Sequence, residues 1–110
     1  MKKPSYVSAV FPDRKQICVR LYDQTSRRLV EQLGGRRKLL SLSEWKIFYK
    51  DDRDLAQILV DLRDNSILFS AGKEWSPSEV FEHLRDRGMV RGKYSIIYWE
   101  RPGKFNIYSK

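Results

Sequence analysis

Apolar positions along this 110-residue chain recur with two periods, and the period changes where turn residues fall. Residues 5–11 and 16–22 alternate. Val7, Ala9 and Phe11 fall opposite Ser8 and Val10, and Ile17, Val19 and Leu21 fall opposite Cys18, Arg20 and Tyr22. Pro12-Asp13-Arg14-Lys15 between them is turn chemistry: proline presets φ and aspartate accepts backbone hydrogen bonds. The pattern predicts a β-hairpin. Residues 44–50 alternate again, with Trp45, Ile47 and Tyr49 on one side and Glu44, Lys46, Phe48 and Lys50 on the other.

Helical spacing takes over at 52–64, where Leu55, Ile58, Leu59 and Leu62 form one stripe. Asp51, Asp52 and Asp54 stand at its start, where the helix dipole favours anions. Ile67-Leu68-Phe69 reads as a short buried strand. A second helix spans 77–87: Ser76 caps it, Pro77 opens its first turn, Glu79 completes a capping box, Val80, Phe81 and Leu84 face inward, and Gly88 ends it. Ser95-Ile96-Ile97-Tyr98-Trp99 and Phe105 to Ser109 form a last hairpin around Arg101-Pro102-Gly103-Lys104. Residues 24–35 read two ways. Leu29, Val30 and Leu33 have helical spacing, with Ser26 as cap and Gly34-Gly35 as terminator; the same letters also fit a strand turning at the glycines into 37–42. The spacing favours the helix. The sum is one α+β domain over 1–110: an antiparallel sheet of about five strands with two or three helices packed on one face.

A chain of this length buries roughly two thirds of its unfolded surface. Its single cysteine, Cys18, cannot form an internal disulfide and sits in Ile17-Cys18-Val19, where it is expected to pack as a small hydrophobe. The start Met1-Lys2-Lys3-Pro4 is basic, but Asp13 and Arg14 interrupt the apolar stretch that follows. No run approaches the roughly 18 apolar residues of a membrane helix. A cytoplasmic protein without a membrane partner is the expectation.

Charge changes the picture most. The net charge is +8, and residues 1–50 hold 12 basic against 4 acidic side chains, so the first half alone accounts for it. An uneven distribution of this kind predicts an electropositive face that seeks phosphates or acidic protein. The expected nucleic-acid contacts are Arg14, Lys15, Arg27, Arg28, Arg36, Arg37 and Lys38, with Arg91 and Lys93 further along; Lys2-Lys3 adds to the cluster. Arg36-Arg37-Lys38 follows Gly34-Gly35, and glycines let a backbone approach a phosphate closely.

Two short sequence patterns resemble those of known families, and neither establishes membership. Helix 77–87, then Gly88-Met89-Val90, then a hairpin is similar to the recognition helix and wing of winged-helix DNA-binding domains. Leu84, Gly88, Met89 and Val90 match, and Arg85, Arg87, Arg91, Lys93, Arg101 and Lys104 would be the contacts; the similarity covers about a third of the chain. Against it, the segment between the two helices is too long, and Ile96-Ile97-Tyr98-Trp99 is too apolar for an exposed wing. Pro12-Asp13 with Glu44-Trp45-Lys46 is similar to the PD-(D/E)xK nucleases, in which two carboxylates hold a divalent metal and the lysine assists water. That role requires Asp13 and Glu44 within about 8 Å. Pro12-Asp13 is equally explained as a turn. His83 has no second histidine or cysteine to form a zinc site, and no phosphate loop or dinucleotide fingerprint is present. No cofactor, metal ligand set or catalytic residue is therefore assigned.

Tyr6, Tyr22, Trp75, Tyr94 and Tyr108 are the aromatics expected outside the core, where they suit base stacking or a protein hot spot. The leading reading is a small basic binding protein that engages DNA or RNA in a regulatory role. The alternative is an interaction module, an inhibitor or adaptor of the kind phages and mobile elements encode, docking on an acidic partner. A metal-dependent nuclease comes third. A free edge strand leaves homodimer formation open.

Overall fold

The computed structural model describes residues 3–72 and 75–110; Lys2, one half of the first basic cluster, lies outside them. Seven strands and three helices follow in the order β1 (Tyr6–Phe11), β2 (Gln16–Arg20), α1 (Gln24–Gln32), β3 (Arg36–Arg37), β4 (Glu44–Phe48), α2 (Asp52–Asp64), β5 (Leu68–Ser70), α3 (Pro77–Asp86), β6 (Ser95–Arg101) and β7 (Lys104–Ser109). The α+β class holds. The sheet departs from the expected antiparallel, roughly five-stranded one: it has seven strands, ordered β3-β4-β2-β1-β5-β6-β7, and is mixed. β5 runs parallel to both β1 and β6. Strand alternating with helix from β4 to β6 forces this, because a helix between two strands carries the chain back to start the next strand in the same direction.

Handedness then decides where the helices go. β4–α2–β5 and β5–α3–β6 cross the sheet in one direction. β2–α1–β3 crosses in the opposite direction between two strands that run together, but opposite to β4, β5 and β6. Right-handed crossovers therefore set all three helices on the same face. One buried cluster joins them there, with Val30 of α1, Leu59 and Leu62 of α2, and Phe81 and Leu84 of α3 against Val7, Ile17, Ile47 and Phe69. The other face of the sheet carries no helix.

The helix starts differ in detail from the expected caps. Asp23, not Ser26, caps α1: its carboxylate accepts from the Ser26 amide at 2.9 Å. Asp51 caps α2 and accepts from the Asp54 amide, while Asp54 accepts from the amide of Lys50, the residue before the cap, each at 2.9 Å. Ser76 occupies the N-cap position of α3 with Pro77 next, but makes no capping bond; its hydroxyl lies 3.3 Å from that of Ser78. Gly35 closes α1 by donating to the Val30 carbonyl at 2.8 Å, and a Cβ there would meet Val30 Cγ1 at 2.3 Å.

A β-bulge corrects the facing of β1. Pairing with β2 slips between Val7 and Ala9, so Val7 and Val10 both point into the core while Ala9 and Phe11 point away. Strict alternation had grouped Val7 with Ala9 and Phe11. β2 and β4 keep the expected alternation, with Ile17, Val19, Leu21, Trp45, Ile47 and Tyr49 buried. The last hairpin forms as expected, but β6 lies between β5 and β7 with Ile96 and Ile97 buried, so it is an inner strand and not a wing.

Candidate nucleic-acid interface

Strand register assembles the helix-free face in rows. Tyr6, Arg20 and Glu44 lie opposite one another; Ala9, Cys18, Lys46 and Arg36 form the next row; Phe11, Gln16 and Phe48 the third. A depression of about 350 Å³ opens among them, and the cations Arg14, Arg20, Lys38 and Lys46 line it against the single carboxylate of Glu44. Glu44 engages Arg20 at 2.7 Å and Lys38 at 3.3 Å. Among the described residues Arg14 and Lys46 have no carboxylate partner within 4.0 Å, and the Arg14 guanidinium lies 5.4 Å from the Phe11 ring centre. Tyr6 stays neutral: burial pushes its phenol up, and neighbouring Tyr22 pushes it further.

A larger cavity of about 720 Å³ adjoins this depression, sharing Ser8, Ala9 and Phe11 with it. Its walls carry Tyr6, Phe11, Trp75, Tyr98 and Trp99. Trp99 is held from both sides, 5.7 Å from the Tyr6 ring and 5.0 Å from Phe105. The cationic depression thus adjoins the Tyr6, Phe11 and Trp99 rings on the helix-free face, while Tyr98 and Trp75 line the cavity from around the end of the sheet.

The expected contact residues divide between this face and others. Arg14 and Lys38 line the cationic depression, and Arg36 extends its middle row at the sheet edge. Lys15 is exposed in the hairpin turn, and Arg37 sits opposite Trp45, on the alternate side of β3 from Arg36. Arg27 and Arg28 belong to α1, on the helix-bearing face. Arg91 and Lys93 lie in the loop from α3 to β6, where the Arg63 guanidinium donates to the Arg91 carbonyl. The nine residues are therefore not one patch. Arg20 and Lys46 were missed, although the alternation of β2 and β4 had already pointed them away from the core.

Other expectations are corrected here. Cys18 is half-buried on the helix-free face, with Gln16 Nε2 at 3.3 Å from its sulfur, rather than packed in the core. Tyr94 is buried: its hydroxyl donates to Glu82 at 2.7 Å, and burial followed by that carboxylate pushes its pKa far up. Phe48 is exposed on the side of β4 that alternation gave it, while Phe11 and Tyr98 are exposed aromatics that were not among those expected outside the core. The nuclease pairing fails on geometry. Asp13 sits in the turn three residues before Gln16, whose partner on β4 is Phe48, whereas Glu44 pairs with Arg20 at the other end of the ladder, and strand spacing alone separates Phe48 from Glu44 by about 13 Å. Among the described residues no three His, Cys, Asp or Glu side chains gather as a metal site. No described helix is long and apolar enough to cross a membrane.

One surface feature had no sequence-level forecast. Leu39, Leu40 and Leu42 in the β3–β4 loop are 90%, 107% and 81% exposed, and Leu40 adopts a left-handed backbone with φ 64°. The loop is nevertheless built: the Lys38 amide donates to the Glu44 carbonyl at 2.8 Å, and Ser41 Oγ accepts from the Glu44 amide at 3.1 Å. No protein-family model, curated protein or solved structure matches the chain.

Proposed function

We propose that the helix-free face binds single-stranded nucleic acid. The reading rests on one observation: the cationic depression of Arg14, Arg20, Lys38 and Lys46 shares a wall of Ser8, Ala9 and Phe11 with a cavity lined by aromatic rings. Cations at the first take phosphates, and rings at the second stack on bases, which every nucleotide offers on a π-face. An unstacked strand suits a sheet surface better than a duplex does, because all three helices that could enter a groove lie on the opposite face. Fluorescence anisotropy on labelled single-stranded and double-stranded DNA and RNA, at rising salt, tests it. The expected result is preference for single strands, with log K falling against log salt at a slope of about −2 to −3 for three or four phosphate contacts. No binding at low salt, or tighter binding to duplex, would overturn it.

A second reading, docking on an acidic protein, is favoured by the exposed Leu39, Leu40 and Leu42 beside Arg36 and Arg37. Changing the three leucines to serine separates the two. Under the nucleic-acid reading, oligonucleotide affinity stays within about twofold, because the loop tip lies outside the track of cations and rings. Under the docking reading, oligonucleotides do not bind at all.

A further inference from the structure

The larger cavity owes its existence to a strand that stops early. β5 ends at Ser70, having paired only with Tyr6 and Val7 on one side and with Ile96 and Ile97 on the other. β1 continues to Phe11 and β6 to Arg101. Beyond Ser70 no described strand fills the space between them, leaving a slot two strand spacings across, about 9.5 Å between backbones. The Ser70 hydroxyl donates to the Ser8 carbonyl at 3.1 Å and seals its inner end. Tyr98 and Trp99 are successive residues and point to opposite sides of β6, yet both line the cavity, which therefore wraps around the carboxyl end of the sheet. Gly72 borders it tightly: with φ 105°, the position is one that side-chain-bearing residues avoid, and an added Cβ would lie 3.3 Å from the Tyr98 ring.

The chemistry of the walls selects the ligand. Five aromatic rings face the cavity, and its only charged lining residue among those described is Asp13. Among the described lining residues no cation meets an anion such as phosphate. A neutral planar ring finds stacking partners, the uncovered backbone of two strands, and a carboxylate able to accept from an amino group. Resting on the single-strand reading above, we infer that this slot is a nucleobase pocket. It takes one base out of the bound strand, favouring the amino-bearing adenine, guanine and cytosine, while the phosphates on either side of that base engage the adjoining cations.

Two titrations test this. In the first, cytidine, uridine and inorganic phosphate are added while tryptophan fluorescence from Trp75 and Trp99 is followed. Saturable quenching by cytidine is expected, weaker by uridine and absent with phosphate, and Trp75→Ala and Tyr98→Ala each weaken cytidine at least about fivefold. Both side chains are exposed, so these variants spare the core. Asp13→Ala removes the preference for cytidine over uridine. In the second, single-stranded oligonucleotides carrying one abasic site are compared with intact ones, with a loss of at least about fivefold expected. Oligonucleotide binding without nucleoside quenching or an abasic effect overturns the pocket and leaves the single-strand reading standing. Nucleoside quenching with no oligonucleotide binding upholds the pocket and removes the track. Quenching by a short neutral peptide and by no nucleoside overturns the pocket in favour of strand insertion into the slot.

Discussion

Asp23 links three parts of the chain through one carboxylate. It accepts from the Ser26 amide, from the Ser26 hydroxyl at 2.8 Å and from the Ser5 hydroxyl at 2.8 Å, while Ser5 Oγ accepts from the Tyr22 amide at 2.9 Å. Burial alone would raise its pKa, but these hydrogen bonds and Arg27 more than offset it, so the group stays ionised below the usual carboxylate range. Glu82 behaves alike: burial raises it, and the Tyr94 hydroxyl with Arg85 at 2.7 and 2.8 Å brings it below its ordinary value. A carboxylate depressed in the folded state contributes stability that is complete above its unfolded pKa and is lost as pH falls through the folded one. Urea titrations should therefore give a flat midpoint down to about pH 5 and a falling one below about pH 4. Asp23→Ala should lower stability by about 1 kcal/mol at pH 7 and flatten part of that acid limb. A variant whose acid limb matches the wild type would contradict the assignment.

Single elements show where sequence pattern suffices and where it does not. α2 spans the expected 52–64 residue for residue, because its apolar stripe and aspartate start agree. The facing of β2 and β4 was equally legible. β1 was not, since a bulge inserts one residue whose presence depends on the partner strand. β3 is two residues long and carries no period. The parallel pairing of β5 was implied by helix alternating with strand, a rule about connections rather than composition. The cationic site was half legible: Arg14, Arg36 and Lys38 follow from clustering, whereas Arg20 and Lys46 follow only once alternation is read for what it turns outward. The aromatic slot was hidden, because it arises from where β5 ends relative to two neighbours distant in sequence. The α1 terminus makes the element-scale prediction. Gly35→Ala would force a methyl against the Val30 side chain and carbonyl, costing about 1–3 kcal/mol in chemical denaturation. Gly34→Ala meets no atom within 4 Å and is opposed only by its φ of 84°, so its cost should be the smaller, about 1 kcal/mol. Equal costs would contradict the close-approach argument.

At the scale of the whole molecule, the one-sided placement of helices is what frees a face for binding. Three crossovers of one hand bury one side of a seven-stranded sheet and leave the other to side chains that the core does not need. The net charge of +8 is a poor guide to that face, since Arg27, Arg28, Arg91 and Lys93 contribute to it from elsewhere. Neutralising Arg14 and Lys46 together should reduce the salt slope by about 1.4 and weaken single-strand binding, while neutralising Arg27 and Arg28 should leave the slope within about 0.3 of wild type.

Cys18, the single thiol of the chain, lies between Ala9 and Lys46 in the middle row of the proposed track and reports on it directly. The decisive measurement is the rate of Cys18 alkylation, with and without a single-stranded oligonucleotide at a concentration that saturates anisotropy. Binding across the helix-free face predicts a slowing of at least about tenfold, relieved by high salt as the strand dissociates. An unchanged rate with oligonucleotide bound, or no saturable binding at all, would contradict the account.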